Sequence, residues 1–169
     1  MALIVQKYGG TSVGSLERIK NVARRVARWK ALGHQLVVVV SAMAGETSRL
    51  IALAQEIQPQ PDPRELDVMV STGEQVTVAL LSMALMEAGI QARSYTGGQV
   101  KILTDSAYTK ARIVSIDEAL IRQDLAGGYV VVVAGFQGVI GGGIGVVGAL
   151  AGGTAFWLPS RALPCSLLA

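Results

Sequence analysis

Runs of branched apolar residues, separated by amphipathic segments, constrain the fold of this chain more than any other feature. Residues 36–40 read Leu-Val-Val-Val-Val, and residues 129–134 read Tyr-Val-Val-Val-Val-Ala. A continuous β-branched run without polar alternation is typical of a strand that is buried on both faces in a parallel sheet. The pattern also predicts a strand over 2–8 and shorter strands over 91–95 and 100–103.

Segments with helical spacing alternate with these strands. Apolar residues recur three and four positions apart over 15–32, 47–57, 64–89 and 117–125, and a break is expected within the third segment at 71–73. Strands that alternate with helices predict an α/β fold with a mainly parallel sheet and helices on both of its faces.

Length, charge and cysteine content narrow the class of protein. The 169 residues suffice for about one domain with its own core. The net charge of +3 includes no basic block, so no nucleic-acid partner is expected. Cys165 is the only cysteine, which excludes an internal disulfide and favours a reducing compartment. The first residues do not resemble a signal peptide, so a cytoplasmic location is expected.

The end of the first predicted strand has the composition of a phosphate-binding loop. Lys7 precedes Gly9-Gly10, and Thr11 and Ser12 follow directly. Two glycines allow a tight turn and a close approach of the backbone to a ligand, and the start of the next helix attracts anions. The alternative is an ordinary strand-turn-helix with a surface lysine, since Gly-Gly turns are common.

Two further loops carry polar side chains. Residues 41–47 follow the strand at 36–40, and residues 71–75 contain Glu74 beside a glycine. Loops after adjacent parallel strands share one edge of a sheet, so the first two loops are expected to converge on one ligand. A carboxylate at Glu74 suits a substrate ammonium group. The alternatives are that Ser41 and Thr47 cap helices, and that Glu74 caps a helix or faces solvent.

Four segments together resemble the aspartate kinases in order and spacing. They are Lys7-Tyr8-Gly9-Gly10-Thr11-Ser12, Val40-Ser41-Ala42-Met43, Ser71-Thr72-Gly73-Glu74-Gln75-Val76 and Ala134-Gly135-Phe136-Gln137-Gly138. The resemblance covers residues 2 to about 139. It implies a three-layer α/β/α sandwich of the amino-acid-kinase, or carbamate-kinase-like, fold. It also implies transfer of the γ-phosphoryl group of ATP to the β-carboxylate of L-aspartate, which leads toward lysine, threonine and methionine.

The resemblance implies roles for individual residues. Those that would bind the nucleotide are Lys7, Tyr8, Gly9, Gly10 and Ser41. Lys7 would also be catalytic, because phosphoryl transfer needs alignment and neutralised charge on the phosphoryl oxygens. Thr47 would bind the aspartate substrate, and Glu74 would bind its amino group. Mg²⁺ would bridge the ATP phosphates, and no protein residue is predicted as a metal ligand.

Residues 140–169 depart from the family's pattern. They contain no Asp or Glu, and Arg161 is not in the glycine-arginine-glycine-glycine-serine-aspartate context that follows in the family. We therefore expect the first part of a kinase domain over 1–139, a divergent glycine-rich tail, and no regulatory domains. Three interpretations of the tail are a dinucleotide fingerprint within 139–148, a membrane span over 138–158, and an aberrant terminus, which we favour. The eight glycines of 138–158 disfavour a helix.

These features lead to expectations about activity and solubility. An early end to the sheet would leave the strand at 129–134 with an exposed apolar edge, which favours self-association. Two functions stay open. One is an aspartate kinase with impaired activity, which acts on L-aspartate and ATP and forms a homo-oligomer. The other is an inactive fragment that only binds or oligomerises. A further alternative, another acyl- or carbamoyl-phosphate-forming kinase, is disfavoured by the motif at 71–75. Association with a membrane is not expected.

Overall fold

The computed structural model describes residues 1–106, 108, 112–135, 137–140 and 146–148. The strands are β1 (Leu3–Tyr8), β2 (Gln35–Val40), β3 (Ala92–Tyr95), β4 (Ile102–Thr104), β5 (Ile113–Ile116), β6 (Val130–Ala134), β7 (Gln137–Ile140) and β8 (Val146–Gly148). The helices are α1 (Leu16–Ala31), α2 (Glu46–Ile57), α3 (Pro63–Glu87) and α4 (Ala119–Ala126), with one 3-10 turn at Gly10–Val13. Strands and helices alternate over much of the chain, so the predicted α/β class is confirmed.

The central sheet is parallel and has the strand order β1-β2-β6-β3. Its register places Val38 of β2 between Gln6 and Val132. The prediction that the strand at 129–134 would have an exposed edge is wrong, because β2 and β3 pair with β6 on its two sides. All five residues of β6 are buried, which explains why its sequence is apolar without interruption.

Helices cover both faces of this sheet. Val38 and Val132 point into a core that they share with α1 and α3. Val39 and Val133 point the other way, into a core that they share with α4. The alternation of adjacent residues between two cores follows from the two-residue repeat of a strand. The layers are therefore helix, sheet and helix, as predicted.

A second, mixed sheet has the strand order β5-β4-β7-β8. β4 pairs antiparallel with β5 and parallel with β7, and β7 pairs antiparallel with β8. Ile102 of β4 lies in the same core as Val39, so the second sheet packs against the first. The sequence did not predict β5, β7 or β8. The strand predicted over 100–103 begins later, because a turn holds the Ile102 N–H 2.9 Å from the Gly97 carbonyl oxygen.

Helix α3 runs without interruption through 71–73, so the break predicted there is wrong. Ser71 Oγ and Thr72 Oγ1 each donate to the carbonyl oxygen three residues earlier, at 2.7 Å, which satisfies both hydroxyls inside the helix. Gly73 serves close packing, because a Cβ there would lie 3.0 Å from the Cβ of Ala42. The glycine admits a neighbouring segment and does not end the helix.

Among the described residues, α3 alone is long and apolar enough to cross a membrane. Half of its most apolar window is buried inside the fold, as in a core helix, so this is weak evidence for a span. β8 and all but the first residue of β7 lie within 138–158, and β8 packs against α3. These strands contradict a continuous spanning helix over 138–158, and β8 occupies the last residues of the fingerprint, where a dinucleotide-binding helix would begin. The other residues of 140–169, including Cys165, lie outside the described part.

Candidate active site

A cavity of about 310 Å³ lies where β1 and β2 end, against α3. Gly10 lines it from the loop after β1, Ser41 and Thr47 line it from the segment after β2, and Glu74 lines it from α3. Its other lining residues are Ala42, Met43, Ala44, Gly45 and Val70. The predicted convergence of the first two loops is therefore observed, and α3 contributes a carboxylate to the same place.

The two loops touch through their backbones. A Cβ on Gly10 would lie 2.9 Å from the carbonyl oxygen of Ala42, so the contact requires a residue without a side chain. The N–H of Ser41 donates to the carbonyl oxygen of Tyr8 at 3.1 Å. These contacts hold the segment after β2 against the end of β1 and so set the width of the cavity.

Helix α2 begins at the rim of this cavity. Gly45 adopts a left-handed conformation with φ of 83°, which glycine tolerates, and it supplies no side-chain cap. Thr47 therefore lies in a first helical turn whose N–H groups and dipole favour an anion. Arg49 pairs with Glu46 at 2.7 Å and lowers the pKa of that partly exposed carboxyl.

Glu74 lies in the middle of α3 and is only 4% exposed. The alternatives that it caps a helix or faces solvent are therefore wrong. A buried carboxylate is costly unless donors or a positive charge surround it. In the wall of a cavity it suits a ligand that carries an ammonium group. Val70, one turn earlier, lines the same wall and makes it partly apolar.

The remaining predicted site residues are near this cavity but not in its lining. Tyr8 is buried in the core beside α1, and its hydroxyl donates to Gln6 Oε1 at 3.1 Å. Burial raises the pKa of Tyr8, and the neighbouring Arg25 opposes that rise. Lys7 is partly buried and lies on the opposite face of β1, the face of Val5. Gly9 connects this strand end to Gly10. The structure thus brings together Gly10, Ser41, Thr47 and Glu74.

Gln137 is a buried residue near the site to which the sequence assigned no role. Its Nε2 donates to the carbonyl oxygen of Ser71 at 2.6 Å, and its Oε1 accepts from the N–H of Gly97 at 3.4 Å. It therefore ties β7 to the turn of α3 that precedes Glu74. The only signal in the sequence was its place in the fourth motif, because a glutamine in an apolar segment does not reveal its partners.

The described residues include no group of three His, Cys, Asp or Glu side chains that could hold a metal ion. Within the cavity lining the acidic residue is Glu74. This donor set fits a Mg²⁺ ion that arrives with a nucleotide and is held mainly by its phosphates.

Comparisons with known proteins agree with this architecture. The amino acid kinase family matches residues 2–154. An aspartokinase of Pseudomonas aeruginosa is 68% identical over 143 residues, which cover 85% of this chain and 35% of that protein. The chain thus spans about a third of the length of the curated relatives that it matches.

Solved structures give the same result. Aspartate kinase from Synechocystis has a TM-score of 0.69 at 50% identity, over 81% of this chain and 22% of that chain. E. coli aspartokinase III in complex with aspartate and ADP has a TM-score of 0.74 at 23% identity, over 86% of this chain and 43% of that chain. The second likeness shows the fold alone. The family model matches most of this chain, and the fold agrees with the solved structures. The chain therefore belongs to the amino acid kinase family.

Proposed function

We propose that this chain carries part of an aspartate kinase, which transfers the γ-phosphoryl group of ATP to the β-carboxylate of L-aspartate. One observation carries the proposal. Gly10, Thr47 and Glu74, which come from three separate segments, line one cavity in a chain 68% identical over 143 residues to an aspartokinase. The same cavity is therefore lined by a loop that suits a phosphate group and by a carboxylate that suits an ammonium group.

In the proposed reaction a β-carboxylate oxygen attacks the γ-phosphorus of ATP. The bond from that phosphorus to the bridging oxygen breaks, so the products are ADP and 4-phospho-L-aspartate. Glu74 would bind the amino group of aspartate, and Thr47 would bind its other polar groups. Lys7 and the backbone of Gly9 and Gly10 would neutralise the phosphoryl oxygens, where such reactions need most help.

The nucleotide would lie along the ends of β1 and β2, with Tyr8 and Ser41 beside it. Because the side chain of Tyr8 is buried beside α1, its contribution would come from its backbone. Mg²⁺ would enter with ATP as the nucleotide complex. The bound aspartate and ADP of the E. coli structure support this pair of ligands by analogy of fold. The reaction would take place in the cytoplasm, in the synthesis of lysine, threonine and methionine.

The test is formation of aspartyl phosphate by the purified 169-residue chain, trapped with hydroxylamine. We expect Lys7→Ala to lower the trapped product by roughly 10²–10³-fold, because a preorganised donor to the transferring group is lost. Lys20→Ala removes the same charge from the exposed surface of α1 and should leave the signal unchanged. An equal signal from Lys7→Ala and the unchanged chain would contradict the role of Lys7.

A second variant tests the substrate side. Glu74→Gln keeps the size of the side chain and removes its charge, so we expect KM for aspartate to rise much more than KM for ATP. Glu65→Gln changes an exposed carboxylate in the first turn of the same helix and serves as the matched control. Equal changes in the two KM values would argue against a contact between Glu74 and the amino group.

An inactive fragment that binds or self-associates is the second candidate function. A groove of about 440 Å³ between α1 and α3 favours it, since its apolar wall includes Leu16 and Met83, which are 61% and 56% exposed. Exposed apolar surface of this kind is typical of interaction sites. Absence of trapped product from a folded chain that sediments as an oligomer would support this function over the kinase.

A further inference from the structure

We propose that a second cleft, between α1 and the turn after β1, is a binding site for a small organic anion with two acidic groups. The cleft has a volume of about 320 Å³. The lining residues that matter are Tyr8, Thr11, Ser12, Arg18, Asn21 and Arg25. It is distinct from the cavity that contains Glu74, and the proposal does not depend on kinase activity.

Charge is the first reason for this assignment. Arg18 and Arg25 both line the cleft, and no residue of its described lining is acidic. Neither arginine is in an ion pair with a carboxylate of the described part of the chain. Among the residues that the structure describes, the two positive charges of this wall therefore have no paired carboxylate. Guanidinium groups bind carboxylates and phosphates through paired hydrogen bonds.

Spacing is the second reason. Arg18 and Arg25 are seven residues apart on α1, so they share one face of the helix and lie about 10 Å apart along its axis. This separation suits a ligand with an acidic group at each end better than a single small ion. The chemistry is shared by phosphate esters and by dicarboxylates.

The surroundings of the two arginines supply the neutral donors. Arg18 Nη1 donates to the carbonyl oxygen of Thr11, which directs its side chain toward the turn after β1. Arg25 lies beside the phenol of Tyr8. Thr11, Ser12 and Asn21, whose side chains carry hydroxyl or amide groups, also line the cleft. A bound anion would therefore contact charged and neutral donors together.

The cleft and the proposed active site share one structural element. Gly10 lines the cavity that contains Glu74, whereas Thr11 and Ser12 line the cleft, and all three belong to the 3-10 turn Gly10–Val13. The two sites are thus on opposite sides of a single turn. An anion in the cleft would contact this turn without entering the active site.

The test is titration calorimetry of the full 169-residue chain at constant ionic strength, with pyrophosphate in one series and citrate in another. We expect saturable binding of at least one probe. Arg18→Gln and Arg25→Gln should each weaken it by roughly tenfold or more, because each removes a charge-assisted contact. Stronger binding of pyrophosphate would indicate a phosphate ester, and stronger binding of citrate would indicate a carboxylate ligand.

Two control variants distinguish binding in this cleft from binding elsewhere on the chain. Arg28→Gln removes the same charge from α1 outside the cleft and should leave binding unchanged. Lys7→Ala should leave the component of binding that depends on Arg18 and Arg25 unchanged, because that component lies outside the proposed nucleotide site. The proposal is overturned if neither probe binds, if Arg28→Gln weakens binding as much as Arg25→Gln, or if Lys7→Ala abolishes it. Failure of the kinase assay would leave these outcomes untouched.

Discussion

The two sheets of this chain are built from different kinds of sequence. In the parallel sheet, β2 and β6 are continuous branched apolar runs with strands on both sides and helices above and below. In the mixed sheet, β4 and β5 have three and four residues, and the middle of β5 is exposed. The first sheet derives its stability from burial on all sides, whereas the second depends on its contacts with the first.

The two sheets also contribute differently to the candidate active site. β1 and β2 end at the cavity and carry the loops that line it. β7 reaches the site only through Gln137, which bonds to the backbone of α3. The parallel sheet therefore places the ligand-binding groups, and the mixed sheet supports the helix that carries Glu74.

The largest effect that separates the two sheets should come from Val132→Ala. Val132 of β6 is fully buried, so the substitution removes apolar contacts and leaves a cavity, at a cost of about 2–3 kcal/mol in the free energy of unfolding. Val114→Ala in β5 is the matched control, because Val114 is 71% exposed and should change stability little. Urea unfolding of both variants measures the difference, and equal losses would contradict this account of the two sheets.

The next largest loss of stability should come from the place where the turn after β3 contacts β7. Gly97→Ala would place a Cβ against the carbonyl oxygen of Gln137, well inside van der Waals contact, so the backbone must move. We expect a loss of about 1–3 kcal/mol. Gly98→Ala is the control, since its Cβ would meet Val139 at an ordinary 3.4 Å. Thermal unfolding should rank the two variants in that order, and the opposite order would contradict close packing at Gly97.

A smaller effect should come from Tyr95→Phe at the edge of the parallel sheet. The hydroxyl of Tyr95 donates to the buried carboxylate of Asp124, which also pairs with Arg93 at 2.6 Å. Loss of this hydrogen bond should cost about 1–2 kcal/mol near neutral pH. Arg49→Gln, which breaks an exposed ion pair, should have almost no effect on the unfolding midpoint.

The stability contributed by the hydroxyl of Tyr95 should also depend on pH. Burial and Asp124 raise the pKa of Tyr95 above its ordinary value of 10.0. The folded state therefore favours the neutral phenol, and this contribution is complete below pH 10 and declines as the pH rises toward the folded pKa. The stability difference between the unchanged chain and Tyr95→Phe should shrink above pH 10. A constant difference across that range would mean that the phenol does not titrate differently in the two states.

The strands of the parallel sheet were easier to predict from the sequence than those of the mixed sheet, because the two sheets differ in how far their strands are buried. The apolar runs at 36–40 and 129–134 were recognised because burial on every side leaves no polar interruption. β5 and β7 were not recognised, because strands of four residues are too short to show a clear period. Gly10 was indicated by the glycine pair at the end of the first strand, whereas Ser41 and Thr47 were indicated by the resemblance to the aspartate kinases and not by apolar periodicity.

The sequence by itself determined the fold class, the parallel core and the loops that would meet at one edge of the sheet, because these follow from local periodicity and from the position of glycines. Only the tertiary structure decided that β6 lies between β2 and β3, that α3 continues through Gly73, and that Glu74 is buried in a cavity wall. Strand order and burial depend on partners distant along the chain, whereas the cleft that Arg18 and Arg25 line forms between neighbouring segments, the turn after β1 and α1.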